Sequence, residues 1–471
     1  MIKNVLASRY ASTEMKNIWR EEGKIILERE FWIAVLKAQR ALGMRIPSGA
    51  VPAYEKTKKQ VDLKKITERE KILRHDVKAR IEEFNSLAGF EEIHKGLTSR
   101  DLTDNVEQYQ ILKSLKLIQL KTIAALKLLS KKAWLHKTIV LAARTHNVTA
   151  QLTTLGKRLA MSGEEILIAL RRLTHLIESY PLRGLKGAVG TLIDQQSLLG
   201  KSSKLNLLQT KVAKFLGFKQ VLYAVGQVYP RSLDFEVISA LYQLGAGFSD
   251  FAKTIRLMAG QELATEGFQK GQVGSSAMPH KMNSRNCERI NGFHVILSGY
   301  LAMASGLAGD QWNEGDVSCS VVRRVALPDS FYALDGLLET AMTVFKEMHF
   351  FKHRLDSEVK KYLPFLCSTV ILMETIKNGM GREKAHQIIK EQSHAVLTEW
   401  SEGKTERNDL TTRLAAVPGF PLTIKELDAL VKHPEKETGL AAAQTERFCR
   451  EVEKWAREYP EHKKIQPEKI I

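Results

Sequence analysis

Apolar residues recur at helical spacing along most of the chain, most clearly after residue 104. Gly and Pro, which cost about 1 and 3 kcal/mol inside a helix, are both absent from Glu107 to Leu155. Asp104, with Glu107 three residues later, forms a D-x-x-E helix start signal. The pattern predicts a very long bundle helix beginning at Asp104, with an apolar stripe formed by Leu112, Leu115, Ile118, Ile123, Leu126 and Leu129.

Similar patterns predict further helices, and period-two alternation of β-branched residues is scarce. The predicted helices are Gly163–Tyr180, Arg231–Leu263, Arg285–Ala308, Val322–His349 and Lys384–Glu402. We therefore expect a mainly α fold with three domains. These are an N-terminal helical domain at 1–105, a central long-helix bundle at 106–364 and a C-terminal helical domain at 365–471.

Composition agrees with a globular protein. Of the 471 residues, 44% are apolar and 26% are charged. No stretch approaches the roughly 18 uncharged apolar residues of a membrane span, and the N-terminus has no apolar signal core. The four cysteines lie far apart and form no CxxC pair, which argues against a disulfide framework or a zinc ribbon. We expect a cytoplasmic protein that does not act at a membrane.

The net charge of +18 is the unusual figure. From Gln108 to Gly163 there is no Asp or Glu, whereas ten cations occur: Lys113, Lys116, Lys121, Lys127, Lys131, Lys132, Lys137, Arg144, Lys157 and Arg158. They form either a solvated helix face or a field that attracts an anion. A basic helical protein that binds nucleic acid is a third hypothesis. No aromatic stacking pattern or binding module supports it, so nucleic acid is not an expected partner.

Common nucleotide-binding and hydrolase motifs are absent, and the most informative stretch is GQVGSSAMPHKMNSRNCE at 271–288. Its glycines and Pro279 predict a loop that leads into a helix near Ser284. Its hydroxyls and Lys281 suit a loop that closes over an anionic substrate.

Three other polar clusters interrupt the apolar patterns: Arg74-His75-Asp76, the run from His94 to Asp101, and Arg144-Thr145-His146-Asn147. A single histidine is more often structural than catalytic. Three histidine-bearing clusters together with the Ser/Lys loop favour a functional site. Their spacing does not fit a metal site, so we expect neither a metal nor a cofactor.

These motifs carry a family resemblance. GSSAMPHKMN resembles the signature loop of the fumarase/aspartase superfamily, Gly-Ser-Ser-x-Met-Pro-x-Lys-x-Asn. Within that superfamily, the chain looks like the adenylosuccinate lyase family. The matching residues are Ser8-Arg9-Tyr10, the Arg-His-Asp triplet, Thr98-Ser99-x-Asp101, Arg144-Thr145-His146, Gln227-x-x-x-Arg231, His280, the stretch 318–328 and the stretch 381–386.

The resemblance implies a fumarase/aspartase-like fold and a purine-biosynthesis lyase without a cofactor. Such an enzyme eliminates fumarate from adenylosuccinate, giving AMP, and from succinylaminoimidazole carboxamide ribotide. It implies a small nucleotide substrate and a homotetramer whose active sites are shared between subunits. A sister lyase acting on argininosuccinate or fumarate/malate is the alternative, although those families generally lack the Arg-His-Asp triplet and the N-terminal Arg-Tyr.

The resemblance also implies catalytic roles. Ser275 would remove the proton, and Lys281 with Asn283 would stabilise the resulting aci-carboxylate. His146 would protonate the leaving nitrogen, held by Glu288 as its acidic partner. An alternative makes His75 the acid and His146 a binding residue. We favour His146 because only His146 has the acidic partner.

The remaining implied contacts are with substrate. They comprise Arg9, Tyr10, Ser320 and Arg324 at the phosphate or ribose, and Arg74, His75, Asp76, Thr98, Ser99, Gln227, Arg231 and Ser276 elsewhere. The chain departs from the family pattern at two positions. Ser284 replaces a common Pro, which suggests a looser helix start. Gly315 stands where some members carry an Arg, and Arg323 is a candidate to replace that contact.

Overall fold

The computed structural model describes residues 3–268, 277–278 and 280–468. The helices before the centre of the chain are α1 (Val5–Arg9), α2 (Thr13–Trp19), α3 (Glu21–Ala41), α4 (Ala50–Thr57), α5 (Leu63–Leu73), α6 (Asp76–Ala88) and α7 (Ser99–Leu135). A hairpin of β1 (Val140–Thr145) and β2 (Val148–Thr154) follows. Then come α8 (Leu155–Ser179), α9 (Ile193–Leu199), α10 (Ser202–Leu216) and α11 (Ser232–Gly260).

The second half is also helical. It contains β3 (Ala264–Thr265), α12 (Arg285–Ser305), α13 (Ser320–Glu347), β4 (His349–Phe350), α14 (Lys352–Leu366), α15 (Ser368–Lys377), α16 (Arg382–Ser401), α17 (Leu410–Ala416), α18 (Ile424–Val431) and α19 (Ala441–Glu458). Short 3₁₀ helices lie at Pro434–Thr438 and Pro460–Lys464. No helix in the described ranges is long and apolar enough to span a membrane.

Five long helices form the central bundle, and their end contacts fix their directions. Arg323 at the start of α13 pairs with Glu107 near the start of α7, and Lys132 near the end of α7 donates to the Met348 carbonyl after α13. Arg231, just before α11, pairs with Asp104. Helices α7, α11 and α13 therefore run parallel. We call the end where they begin the proximal end and the end where they finish the distal end.

Helices α8 and α12 run in the opposite direction. Gly156 at the start of α8 donates to His136 beyond the end of α7, while Gln108 near the start of α7 donates to Pro181 beyond α8. Asn291 near the start of α12 donates to Ser249 in the second half of α11. The end of α11 and the start of α12, which flank the signature loop in the sequence, therefore lie at the distal end.

The predicted stripe of α7 is confirmed, since all six of its apolar residues are buried. The predicted start at Asp104 is wrong, because α7 begins five residues earlier. Thr98 and Asp101 form a capping box there, and Asp104 instead pairs inside the bundle. After Leu135 the chain forms the hairpin, whose β-branched residues the helical pattern did not single out.

The region after residue 364 does not form one packed unit. Pro364 lies inside α14. A separate core contains buried residues from Ile371 to Leu427, whereas Phe448 and Val452 of α19 belong to the main core. A β-carbon at Gly163 would lie 2.2 Å from the Phe448 ring, so glycine is needed where α19 meets α8. The last long helix thus returns to the central bundle.

We call the segment from Gln108 to Gly163, which contains no Asp or Glu, the acid-free segment. Most of its cations have partners within the chain, so they do not form one solvated face. Lys127 and Lys137 pair with Glu453 and Glu446 of α19. Four further cations also have internal partners: Lys121, Lys132, Arg144 and Arg158. The carboxylates that pair with Lys121, Lys127, Lys137 and Arg144 all come from distant parts of the sequence.

One of these cations, Lys121, is almost fully buried in the middle of the bundle. Its ammonium donates to Asp335 and, at 2.6 Å, to Glu339, both on α13, and at 2.8 Å to the Ser12 hydroxyl. The Ser12 backbone N–H donates to the other oxygen of Asp335 at 2.6 Å. The cluster joins α7, α13 and the N-terminal segment that precedes α2.

Candidate active site

A cleft of about 450 Å³ at the proximal end collects many of the predicted substrate contacts. It is lined by Arg74, His75, Asp76, Ser99, Ser320 and Arg324. These residues come from the α5–α6 junction and from the first turns of α7 and α13. Three regions far apart in the sequence, each of which the resemblance implied to contact substrate, thus meet at one cleft.

Local backbone structure presents the Arg-His-Asp triplet to this cleft. Arg74 ends α5 in the left-handed region at φ 51°, and His75 caps α6, its Nδ1 accepting the Lys78 N–H at 3.3 Å. That bond leaves Nε2 of the exposed His75 ring for a ligand. Thr98 caps α7, which places Ser99 at the first turn, where unpaired backbone N–H groups favour anions.

The charges around the cleft are partly balanced. Arg80 pairs with Asp76 at 2.8 Å and also with the buried Glu28 at 2.8 Å. Burial works against ionisation of Asp76, but the Arg80 guanidinium and the Val77 N–H outweigh it and lower the Asp76 pKa. Lys24 and Arg100 add positive charge to the lining. Sequence reasoning did not select these two cations; Arg100 lies within the polar run that it quoted.

Two arginines near the cleft belong to a buried ion network. Arg323 pairs with Glu107 at 2.9 Å and Asp234 at 2.6 Å. These carboxylates offset the effect of burial and raise the Arg323 pKa further above its usual value. Arg231 pairs with Asp104 at 3.2 Å, is 2% exposed and lies over the Tyr229 ring.

These pairings affect the expected roles of Arg323 and Arg231 in substrate binding. Arg323, the candidate replacement for an arginine at position 315, is held by its two carboxylates and by the Tyr229 hydroxyl. Arg324, by contrast, is exposed at the cleft and remains available for a phosphate. The predicted substrate contact of the buried Arg231 stays a prediction.

Gln227 lies against the loop that contains Gly315. Its backbone N–H donates to the Glu314 carbonyl at 2.6 Å, and a β-carbon at position 315 would lie 2.9 Å from the β-carbon of Gln227. Any larger residue at 315 would press on Gln227. The glycine therefore permits a close approach between two loops at the proximal end.

Tyr10 and Arg9 lie between the two ends of the bundle. The Tyr10 ring packs edge-on against Phe293 of α12 with centroids 5.1 Å apart, and Arg289 lies over it at 5.5 Å. Gly336 in the middle of α13 provides the space beneath Tyr10. Arg9 is exposed beside this ring.

His146 occupies the tip of the β1–β2 hairpin at the distal end. His146 and Asn147 are the two turn residues, with φ of 52° and 63°, as a two-residue turn of type I′ requires. Arg144 braces the hairpin by pairing with Glu358 and donating to the Asn147 carbonyl at 3.1 Å. The hairpin therefore holds an exposed imidazole away from the helices.

Lys281, Asn283 and Glu288 lie at the same end and line a pocket of about 890 Å³ beside the end of α11. No ion pair joins Glu288 to His146 within the described part of this chain, so their partnership stays a prediction. The predicted base Ser275 and its neighbour Ser276 lie outside the described residues.

The two groups of candidate residues are widely separated within one chain. Ser99 begins α7 and the His146 hairpin follows its end, and this helix has 37 residues. At 1.5 Å per residue, α7 is about 55 Å long. The proximal cleft and the His146 hairpin therefore cannot act on one substrate within a single subunit.

Glu266 is a residue that sequence reasoning missed, and it holds the start of α12. Its two oxygens accept the backbone N–H groups of Asn286 at 3.0 Å and Cys287 at 2.9 Å. Burial raises the pKa of this carboxyl despite those two donors. Ser284 makes no side-chain cap bond, so Glu266 supplies the cap and the helix start is held despite the missing proline.

We expect Glu266→Gln to lower the free energy of unfolding by about 1–2 kcal/mol, since an amide has one accepting oxygen for two donors. Because Glu266 and α12 flank the signature loop, kcat should fall more than KM changes. Urea unfolding and steady-state kinetics would measure both effects. Glu262→Gln, an exposed acid nearby, is the matched control, and equal behaviour of the two variants would contradict the capping role.

Comparison with known proteins gives a consistent family assignment. Residues 15–298 match the family profile described as lyase, and residues 364–448 match the profile described as adenylosuccinate lyase C-terminus. The adenylosuccinate lyase of Saccharomyces cerevisiae is 32% identical over 453 residues, covering 94% of this chain and 93% of the relative. That of Schistosoma mansoni is also 32% identical, covering 95% and 94%.

Solved structures share the fold at lower identity. The 3-carboxy-cis,cis-muconate lactonizing enzyme from Pseudomonas putida matches with a TM-score of 0.80 at 20% identity, covering 96% of this chain and all of that chain. A fumarate lyase from Mesorhizobium sp. BNC1 matches with a TM-score of 0.77 at 20% identity, covering 94% and 98%. The expected mainly α, fumarase/aspartase-like fold is confirmed.

The long-helix bundle and the lyase profile thus define a lyase of the fumarase/aspartase superfamily. Within it, the chain belongs to the adenylosuccinate lyase family, whose members are C–N lyases that release fumarate in purine biosynthesis.

Proposed function

We propose that this protein eliminates fumarate from adenylosuccinate, giving AMP, and from succinylaminoimidazole carboxamide ribotide. The observation that carries the proposal is the proximal cleft, where Arg74, His75, Ser99, Ser320 and Arg324 meet at the mouth of the fumarase-type bundle. Exposed guanidinium groups and a helix N-terminus suit a substrate that bears a phosphate and two carboxylates.

In the proposed reaction, Ser275 takes a proton from the succinyl carbon next to a carboxylate. Lys281 and Asn283 stabilise the charge that spreads onto that carboxylate as the aci form. The electron pair then forms the fumarate double bond as the C–N bond breaks, and His146 gives its proton to the leaving nitrogen. Glu288 holds the imidazole in the required tautomer.

The same proposal includes a homotetramer with shared active sites. The distance between the proximal cleft and the His146 hairpin supports this arrangement, in which a second subunit completes each site. Helix α12 offers a surface for assembly, since Val295 and Ile296 are exposed and Gly292 and Gly299 have open space beside them. Small residues on an apolar helix face allow another helix to approach closely.

Nucleic-acid binding is the weaker alternative. Most cations of the acid-free segment have partners inside the chain, as described above, which removes the continuous basic face that such a protein needs. A small anionic substrate needs only the few exposed cations of the proximal cleft and Lys281.

The substrate assignment is tested by following absorbance during incubation with adenylosuccinate, succinylaminoimidazole carboxamide ribotide or argininosuccinate. We expect turnover of the two succinylated nucleotides only. Turnover of argininosuccinate without turnover of either nucleotide would assign the chain to the sister activity.

A further inference from the structure

A cavity of about 610 Å³ lies between α7, α13, α19 and the C-terminal segment. It shares no lining residue with the proximal cleft or with the distal pocket of Lys281. Leu128, Met342 and Ile465 give it an apolar surface. Its volume falls within the roughly 300–1,000 Å³ of small-molecule sites.

The cavity lining is strongly basic. Among the described lining residues there is one carboxylate, Glu453, which already pairs with Lys127, and there are these further cations: Lys131, Lys346, Arg450 and Lys463. Exposed cations around an apolar surface raise the local concentration of organic anions. The lining therefore favours a ligand that has both an apolar body and a negative charge.

Two polar side chains of the lining are more than nine-tenths buried. Ser130 is 7% exposed, and its hydroxyl has no hydrogen-bond partner within the described ranges. His462 is 8% exposed, and its Nδ1–H donates to the Tyr459 carbonyl at 2.8 Å, which leaves Nε2 unused. Both atoms are accessible from the cavity, so each can form a hydrogen bond with a ligand that lies there.

We propose that this cavity binds a nucleoside monophosphate, separately from the catalytic reaction. The base lies against the apolar surface beside the exposed Trp134, with Ser130 and His462 as its hydrogen-bonding partners. The phosphate lies among the cations, near Lys131 and Lys463. A ring with one phosphate satisfies the apolar surface, the two polar groups and the surplus of positive charge together.

Cys449 provides a direct probe because it lines the cavity and is only partly buried, whereas the other three cysteines are buried. Its reaction with a chromogenic disulfide reagent should be measured on the intact enzyme at mildly alkaline pH, since burial raises the pKa of this thiol. AMP at about ten times its Kd should slow the modification about tenfold. Adenosine or inorganic phosphate at the same concentration should protect much less.

Three variants make the test specific to this cavity. Lys131→Ala with Lys463→Ala should abolish the protection by AMP, whereas Lys116→Ala, exposed on the same helix outside the cavity, should retain it. Arg324→Ala, which alters the proximal cleft, should also retain it. Loss of protection in Arg324→Ala would place the AMP effect at the proposed active site and overturn the proposal. So would an unreactive Cys449, absent protection, or unchanged protection in the double variant.

Discussion

Mixing two inactive variants, His146→Ala and His75→Ala, is expected to restore about a quarter of the wild-type activity once their subunits exchange. Each variant alone should lose at least about 100-fold in kcat/KM, as removal of a general acid or a close substrate contact commonly does. In a random mixture, a site that takes its cleft and its hairpin from different subunits receives both intact in about one case in four.

The structural reason is the direction of the chain through the bundle. His75 lies at the proximal end beside the start of α7, and His146 lies on the hairpin that follows the end of this 37-residue helix. A substrate the size of a nucleotide spans only a fraction of the roughly 55 Å between these ends. In the proposed tetramer, an intact cleft and an intact hairpin therefore meet across subunits.

The measurement is adenylosuccinate turnover after mild denaturation and reassembly of an equimolar mixture, with mixed oligomers verified by native mass spectrometry. The matched control mixes His75→Ala with Arg324→Ala, since both positions line the same cleft and every cleft then carries a defect. That mixture should stay inactive. Equal recovery in both mixtures, or no recovery when mixed oligomers are present, would contradict shared sites.

The long helices could be predicted from the sequence because helical periodicity is a local property. The stripe of α7 is buried as predicted, but the helix begins at Ser99 rather than Asp104. Both Thr98 and Asp104 fit the pattern of a residue that caps a helix start. Which of the two caps α7 depends on a distant residue. Asp104 is drawn into the pair with Arg231, 127 positions later, which leaves Thr98 as the cap.

In the candidate site, too, local motifs could be recognised from the sequence, whereas contacts between distant residues could not. Motifs identified six residues of the proximal cleft, and the structure brings these six together from three regions. Sequence reasoning did not find Glu266, because a glutamate that caps a helix starting about 20 residues later has no local pattern. The sequence also did not reveal that Arg323 is held in ion pairs, since its partners Glu107 and Asp234 lie far away in the sequence.

Replacing Lys121 by methionine should lower the free energy of unfolding by about 3–5 kcal/mol, because it leaves two buried carboxylates without their cation. Asp335 and Glu339 are fully buried on one face of α13, and Lys121 is their shared ion-pair partner within the described chain. Chemical unfolding followed by circular dichroism would measure the loss. Lys116→Met, an exposed lysine on the same helix, should change stability by less than about 0.5 kcal/mol.

The loss in Lys121→Met should also depend on pH. Burial already raises the Glu339 pKa, although Lys121 opposes that effect, so removing the lysine raises it further. A carboxyl with a raised pKa in the folded state stabilises the protein when protonated, and this contribution disappears as pH rises through the folded pKa. The deficit of Lys121→Met relative to wild type should therefore shrink between neutral and mildly acidic pH.

Adding Glu339→Gln to Lys121→Met separates charge from packing. The amide retains an oxygen that can accept the Glu468 N–H, which donates to Glu339 at 2.6 Å, while one buried charge is removed. The double variant should recover a large part of the lost stability at neutral pH and show a weaker pH dependence. If the double variant were as unstable as Lys121→Met at every pH, the loss would come from packing around the lysine stem. The buried charges would then contribute little to the stability of the bundle.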